Sequence, residues 1–205
     1  MLCRNGRFPP ITPGKGHDCS MLTDPEALIV GFCEAADPVG IEGWPCPVRF
    51  ETLPAPHERP SLPPDEAAVY AFTVSAAAGH SAPCGPGAVL MVAKARANKE
   101  QWFQHAHYDG TNNPSTLAGS LLAHRILWPW LGISHLDEAT VAEWMLSSLD
   151  RTHFFIPIGH PRVRDALAVY VRGTAGSVFH RSSATRTVRK YRRAAYPQAM
   201  PGLWA

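Results

Sequence analysis

The sequence predicts an α+β fold: a small central three-stranded sheet, antiparallel or mixed, flanked by helices. Three observations predict it. Two short apolar runs, residues 68–75 and 88–94, are rich in Val, Phe and Tyr and suit strands. The connection between them carries Pro83-Cys84-Gly85-Pro86-Gly87, which cannot continue a strand. A third run, Thr152-His153-Phe154-Phe155-Ile156-Pro157-Ile158, reads as a buried strand, and apolar residues recur at helical spacing around these runs.

Residues 1–22 hold Pro9, Pro10, Pro13, Gly14 and Gly16 with little apolar periodicity, and read as a flexible arm. Thr23-Asp24-Pro25-Glu26 is a helix start, with proline early and a carboxylate in the first turn; the helix continues to about Ala36. Residues 44–53 alternate weakly and contain Pro45 and Pro47, which fits an edge strand. Residues 54–64 form a linker into the hairpin. Together, residues 23–65 make an N-terminal extension and 66–180 the main domain. Within that domain a helix is predicted over 98–107, carrying Trp102 and Phe103. After an Asn112-Asn113-Pro114 loop, Ser115 caps a second helix through Leu117, Leu121, Leu122 and Ile126, ended by Trp128-Pro129-Trp130-Leu131-Gly132. Asp137 and Glu138 open a third, with Val141, Trp144, Met145 and Leu149 on one face. Gly159 and Pro161 open a last helix from about 162 to 172, which Gly173 stops, before a short extended piece at 177–179.

With 45% hydrophobic residues and 205 residues in all, the chain can bury a sizeable core, which excludes a disordered protein. Twenty prolines, about twice the usual share, predict long irregular connections. The net charge of +2 is too small to name a partner, but its distribution is uneven. Residues 181–205 carry Arg181, Arg186, Arg189, Lys190, Arg192 and Arg193 and no carboxylate, with Tyr191 and Tyr196 interleaved. That basic tail reads as a nucleic-acid arm or as a solvated tail. The cysteines number five, without CxxC spacing, and residues 1–10 lack the apolar run of a signal peptide. No segment is apolar over the length of a membrane span. A cytoplasmic protein with no membrane partner is the expectation.

Residues 68–180 resemble the GIY-YIG nuclease superfamily, in particular a bacterial branch of it. Ala68-Val69-Tyr70 stands at the first motif and Leu90-Met91-Val92-Ala93-Lys94 at the second. Downstream, residues 115–122, 126–132, Asp150-Arg151-Thr152-His153-Phe154-Phe155 and Gly176-Ser177-Val178-Phe179 look like text of that branch. The resemblance implies hydrolysis of a phosphodiester. A tyrosine of the first strand positions or deprotonates the attacking water, and a helix arginine steadies the phosphate. A later glutamate holds one divalent cation, Mg²⁺ or Mn²⁺, whose Lewis acidity makes its carboxylate anchor indispensable.

Matched residue by residue, Tyr70 fits the first tyrosine, while Met91 replaces a tyrosine and Ala93 a glycine. The helix arginine belongs near Gln101 or Trp102; Arg96 and Lys99 are close by, and His105 or His107 suits a histidine one turn later. The glutamate position is Ala168, flanked at i±4 by Arg164 and Arg172, and Asp165 is the nearest substitute carboxylate. His180 falls where a polar residue closes the site. The resemblance thus makes Tyr70, His107 and Arg96 the expected catalytic residues. Lys94, Arg96, Lys99, Arg164, Arg172, Arg189, Lys190, Arg192 and Arg193 are the expected contacts to nucleic acid, DNA rather than RNA. With no metal carboxylate at position 168, the expected protein binds nucleic acid with impaired catalysis and no cofactor; an active Mg²⁺- or Mn²⁺-dependent endonuclease and a protein-interaction module are the alternatives. Other residues carry two readings each. Tyr70 is a site tyrosine or a core tyrosine with a satisfied hydroxyl. Trp128 and Trp130 are a stacking platform or, better, a core plug.

Overall fold

A computed structural model describes residue 22 and residues 24–78, 85–110 and 116–179. The predicted arm except Leu22, the loop at 112–115, His180 and the tail with Arg189, Lys190, Arg192 and Arg193 lie outside the described residues.

The sheet has four strands rather than three, all antiparallel: β1 (Arg49–Leu53), β2 (Glu66–Val74), β3 (Val89–Ala95) and β4 (Leu149–Pro157), in the order β1-β4-β2-β3. The difference lies at one edge. The predicted edge strand joins the central sheet by pairing with β4 about a hundred residues later, Thr52 opposite Thr152. Residues 24–65 therefore contribute a strand to the central sheet, with Leu28 and Phe32 packed on one of its faces and Leu62 on the other.

Helices cover both faces. Helix α1 (Pro25–Ala36) and α5 (Pro161–Ala175) lie on one; α2 (Glu100–His105), α3 (Leu117–Ala123), a 3₁₀ segment (Arg125–Leu131) and α4 (Val141–Ser148) lie on the other. This explains the near-continuous apolar text of β2, whose residues 67–74 are all buried. Ala68, Tyr70, Phe72 and Val74 face the α2–α4 layer, while Val69 and Ala71 face α1 and α5. In β3, Val89 pairs with Thr73 and Met91 with Phe72, so Leu90 is an extra residue. The resulting bulge lets Leu90 and Met91 both enter the α2–α4 core.

The helix ends show which sequence signals act. Asp24 accepts a hydrogen bond from the Ala27 amide and Pro25 starts α1, as predicted. Helix α2 starts at Glu100, later than predicted, because Asn98 takes a left-handed conformation with φ of 59°. Thr116, rather than Ser115, caps α3 by accepting from the Gly119 amide. The helix predicted to reach Ile126 breaks at His124 and resumes as the 3₁₀ segment. Asp137 accepts from the Ala139 and Thr140 amides in a turn that precedes α4, so that helix begins at Val141. Gly173 does not stop α5, which runs on to Ala175 and is capped by Gly176 at φ of 61°. Trp128 is a core plug whose indole N–H donates to the Leu121 carbonyl.

At the centre of the α2–α4 core stands a charge. Arg151 of β4 is fully buried and its guanidinium lies 4.4–5.7 Å from the ring centroids of Phe103, Tyr70, Phe72 and Tyr108. It donates to the Tyr108 hydroxyl at 3.2 Å and to the Phe103 carbonyl at 2.9 Å. Among the described residues no carboxylate pairs with it. Its charge is held by ring quadrupoles and two hydrogen bonds against a large desolvation term. An ammonium cannot reproduce the planar fork. Arg151→Lys is therefore expected to lower the unfolding free energy by about 2 kcal/mol, read from urea midpoints at constant slope. An unshifted midpoint would mean that the fork contributes nothing.

Candidate functional site

The expected catalytic residues do not share an open site. The Tyr70 side chain is fully buried, and its hydroxyl finds no hydrogen-bond partner among the described residues. Its ring lies edge-on to Phe103 at 5.0 Å and to His107 at 5.6 Å. Burial pushes the phenol far above its ordinary pKa, against the opposing pull of the Arg151 charge. His107 is also buried, and its Nδ1 accepts from the Leu117 amide at 3.3 Å, tying the turn after α2 to the start of α3. Arg96, by contrast, is exposed just past the end of β3.

Ala168 and Tyr70 lie on opposite sides of the sheet. Ala168 packs with Val163, Leu167 and Val171 against Val69 and Val92, in the α1–α5 core, and is 1% exposed. A metal-holding groove containing both positions is thus not formed. Asp165, the substitute carboxylate, is already engaged. Its Oδ1 accepts from Lys94 Nζ at 2.9 Å and from Arg164 Nε and Nη2 at 2.9 and 2.7 Å. Burial works to raise its pKa, but these hydrogen bonds hold it below the usual carboxylate range. A methyl group offers no ligand, and a carboxylate whose Oδ1 already accepts from Lys94 and Arg164 puts two positive charges beside any divalent ion it would hold. Among the described residues no three His, Cys, Asp or Glu side chains gather as a metal site would need.

What the structure does bring together is part of the expected cationic set, Lys94, Arg96, Lys99 and Arg164. A cavity of about 760 Å³ is lined by Lys94, Arg96, Lys99, Trp102 and His105 together with Asn98, Glu100 and Asp109. A second, of about 620 Å³, is lined by Arg96, Asn98, His160, Arg162, Arg164 and Asp165. Arg96 and Asn98 border both. The local reason is the meeting of three chain ends. Strand β3 delivers Lys94 and Arg96, the left-handed Asn98 turns the chain into α2, and Gly159 at φ of 98° turns β4 into α5. Lys94 and Lys99 are exposed; Arg164 is buried against Asp165. Arg172 lines neither cavity, since it is half-buried and its Nε donates to the Val92 carbonyl. Burial lowers its pKa, with Asp165 opposing.

His160, Arg162 and Asn98 are absent from the sequence-derived set. The signal for His160 and Arg162 is the Gly159-His160-Pro161 turn at a helix start, and for Asn98 a residue type that tolerates the left-handed conformation between strand and helix. Arg151 and His153 also belong to the missed residues, although ionisable groups inside an apolar strand are a signal in themselves. Compared with known proteins, the chain matches no family model, no curated protein and no solved structure.

The buried histidines have a measurable consequence. Burial first, and the nearby Arg151 charge second, lower His107 to a pKa of about 3 and His153 to about 2, from an ordinary 6.5. Both are therefore neutral in the fold, while the unfolded chain protonates them below pH 6.5. Stability is full above that pH and falls as pH drops, by up to about 1.4 kcal/mol per unit for each histidine. Unfolding free energies measured from pH 7 to 5 should show this slope, and His153→Phe should flatten it by about half. A slope unchanged in that variant would place the His153 titration outside the folding equilibrium.

Proposed function

We propose that this chain binds nucleic acid through its phosphate backbone without cleaving it, as a non-catalytic protein on a GIY-YIG-type scaffold. The observation that carries the reading is Arg96, exposed on the border of two adjoining cavities, with Lys94 and Lys99 on one side and Arg162 and Arg164 on the other. Five cations line the two cavities with three carboxylates, Glu100, Asp109 and Asp165, and a fourth, Glu42, stands 3.9 Å from Arg162. A phosphate arriving at this rim exchanges solvent counterions for fixed cations, and an arginine fork can grip two of its oxygens. Asp165 has a particular part. Its carboxylate holds Lys94 and Arg164 in one place, as an internal anion where a phosphate oxygen would otherwise be drawn.

Support for a non-cleaving protein comes from the same geometry. The phenol expected to handle the attacking water is sealed in the core, and the position expected to anchor a cation is a methyl group beneath α5. No observation favours the active endonuclease or the protein-interaction module over this reading.

Fluorescence anisotropy with labelled DNA tests it. Binding should weaken steeply with salt, and Arg96→Gln should flatten the log–log salt slope by about 0.9 for its one phosphate contact. Asp165→Asn, which releases Lys94 and Arg164, should tighten binding and steepen that slope. Plasmid incubated with the protein and Mg²⁺ or Mn²⁺ should stay supercoiled. A salt slope indifferent to both substitutions removes the rim from binding, and EDTA-sensitive nicking by the purified chain removes the non-catalytic assignment.

A further inference from the structure

We propose that the nucleic acid taken by this rim is single-stranded, with a base stacked on Trp102 and the adjoining phosphate held by Arg96. The inference rests on the binding reading above and narrows its substrate class.

Trp102 and Phe103 are neighbours on α2, yet they part company. Phe103 is 1% exposed in the Arg151 cage, whereas Trp102 is 51% exposed. The short helix turns one ring into the core and leaves the larger one at the cavity wall, beside Arg96 and Lys99. Half an indole left in water gives up a large share of the stabilisation its burial would supply. Among the described residues, Trp102 is the exposed aromatic ring of α2 and Phe103 the buried one. A ring flanked by cations is what a nucleotide needs: its base offers a flat π-face and its phosphate a charge.

The form of the nucleic acid follows from which surfaces of a base are free. In a duplex the faces are covered by neighbouring base pairs, so a protruding indole can meet only sugar, phosphate or groove edges. In a single strand the faces are open, and stacking is tolerant of sequence. The rim's shape points the same way. Cavities of about 760 and 620 Å³ are each of ligand size and meet at Arg96 and Asn98. Successive bases splayed into two concavities, with the phosphate between them at the shared arginine, require a backbone that can bend at that phosphate. A single strand does so freely, whereas a duplex would first have to unstack. Asn98 and Gln101 border the first cavity with side-chain amides able to hydrogen-bond base edges.

The experiment compares the full chain with a fluorescein-labelled 12-nucleotide DNA strand and with the same strand annealed to its complement, at one salt concentration. The expected result is at least tenfold tighter binding of the single strand. Trp102→Ala should weaken that binding by about 5- to 100-fold and leave duplex affinity within twofold. Trp102→Phe, which keeps a ring, should recover most of the loss. Trp102 is half exposed, so the fold should survive both substitutions, as thermal unfolding would verify. Duplex bound as tightly as the single strand, or a Trp102→Ala variant that binds the single strand normally, overturns the proposal while leaving phosphate binding intact. Failure of both DNAs to bind overturns the underlying reading as well.

Discussion

A buried guanidinium with no carboxylate partner among the described residues sets the terms for half of this molecule. Arg151 is the third residue of the interior strand β4, fully buried, and the described residues surround it with π-faces and two hydrogen-bond acceptors. Phe103 and Tyr108 come from α2 and the turn after it; Tyr70 and Phe72 come from β2. The cage thus couples the sheet to the layer above it through one side chain. His107 and His153 pack in the same volume, and the charge beside them adds to burial in keeping both neutral.

This constraint decides what Tyr70 can do. In a strand covered on both faces, a tyrosine one residue either way would point into the other core. Its actual parity commits it to the Arg151 cage, with its ring 4.5 Å from the guanidinium carbon. A group so committed holds the fold and has no route to a water molecule at the surface. The charged residues of the expected site that stay accessible lie where chain ends emerge from the sheet. Lys94 and Arg96 leave β3 there, α2 begins after Asn98, and α5 begins after Gly159. The rim and the core are therefore separate: one is charged and open, the other charged and sealed.

Much of this organisation was legible in the sequence. The hairpin strands, the Asp24–Pro25 start of α1 and the Pro161 start of α5 follow from local chemistry, and local chemistry decides them. Lys94, Arg96, Lys99 and Arg164 were named through the resemblance, and the structure sets them along the two cavities. What sequence reasoning missed is non-local. The partnership of β1 with β4 spans about a hundred residues, and no spacing encodes it. β2 is covered on both faces, so it lacks the alternation that would have told which side Tyr70 occupies. The resemblance implied one site for Tyr70 and Ala168, and nothing in the text of β2 spoke against it; the sheet separates them. Gly173 was misread as a stop because a glycine in a helix interior costs only about 1 kcal/mol, which packing on the sheet outweighs; the left-handed residue is Gly176.

The separation of rim from core can be observed directly. In a ¹⁵N–¹H correlation spectrum recorded while a short single-stranded DNA is added, amide shifts should concentrate at residues 94–102 and 158–165. The amides of Tyr70, Arg151 and His153 should stay in place, as should those of the exposed edge strand β1. Shifts centred on the Arg151 cage, or on a surface remote from Arg96, would contradict the account.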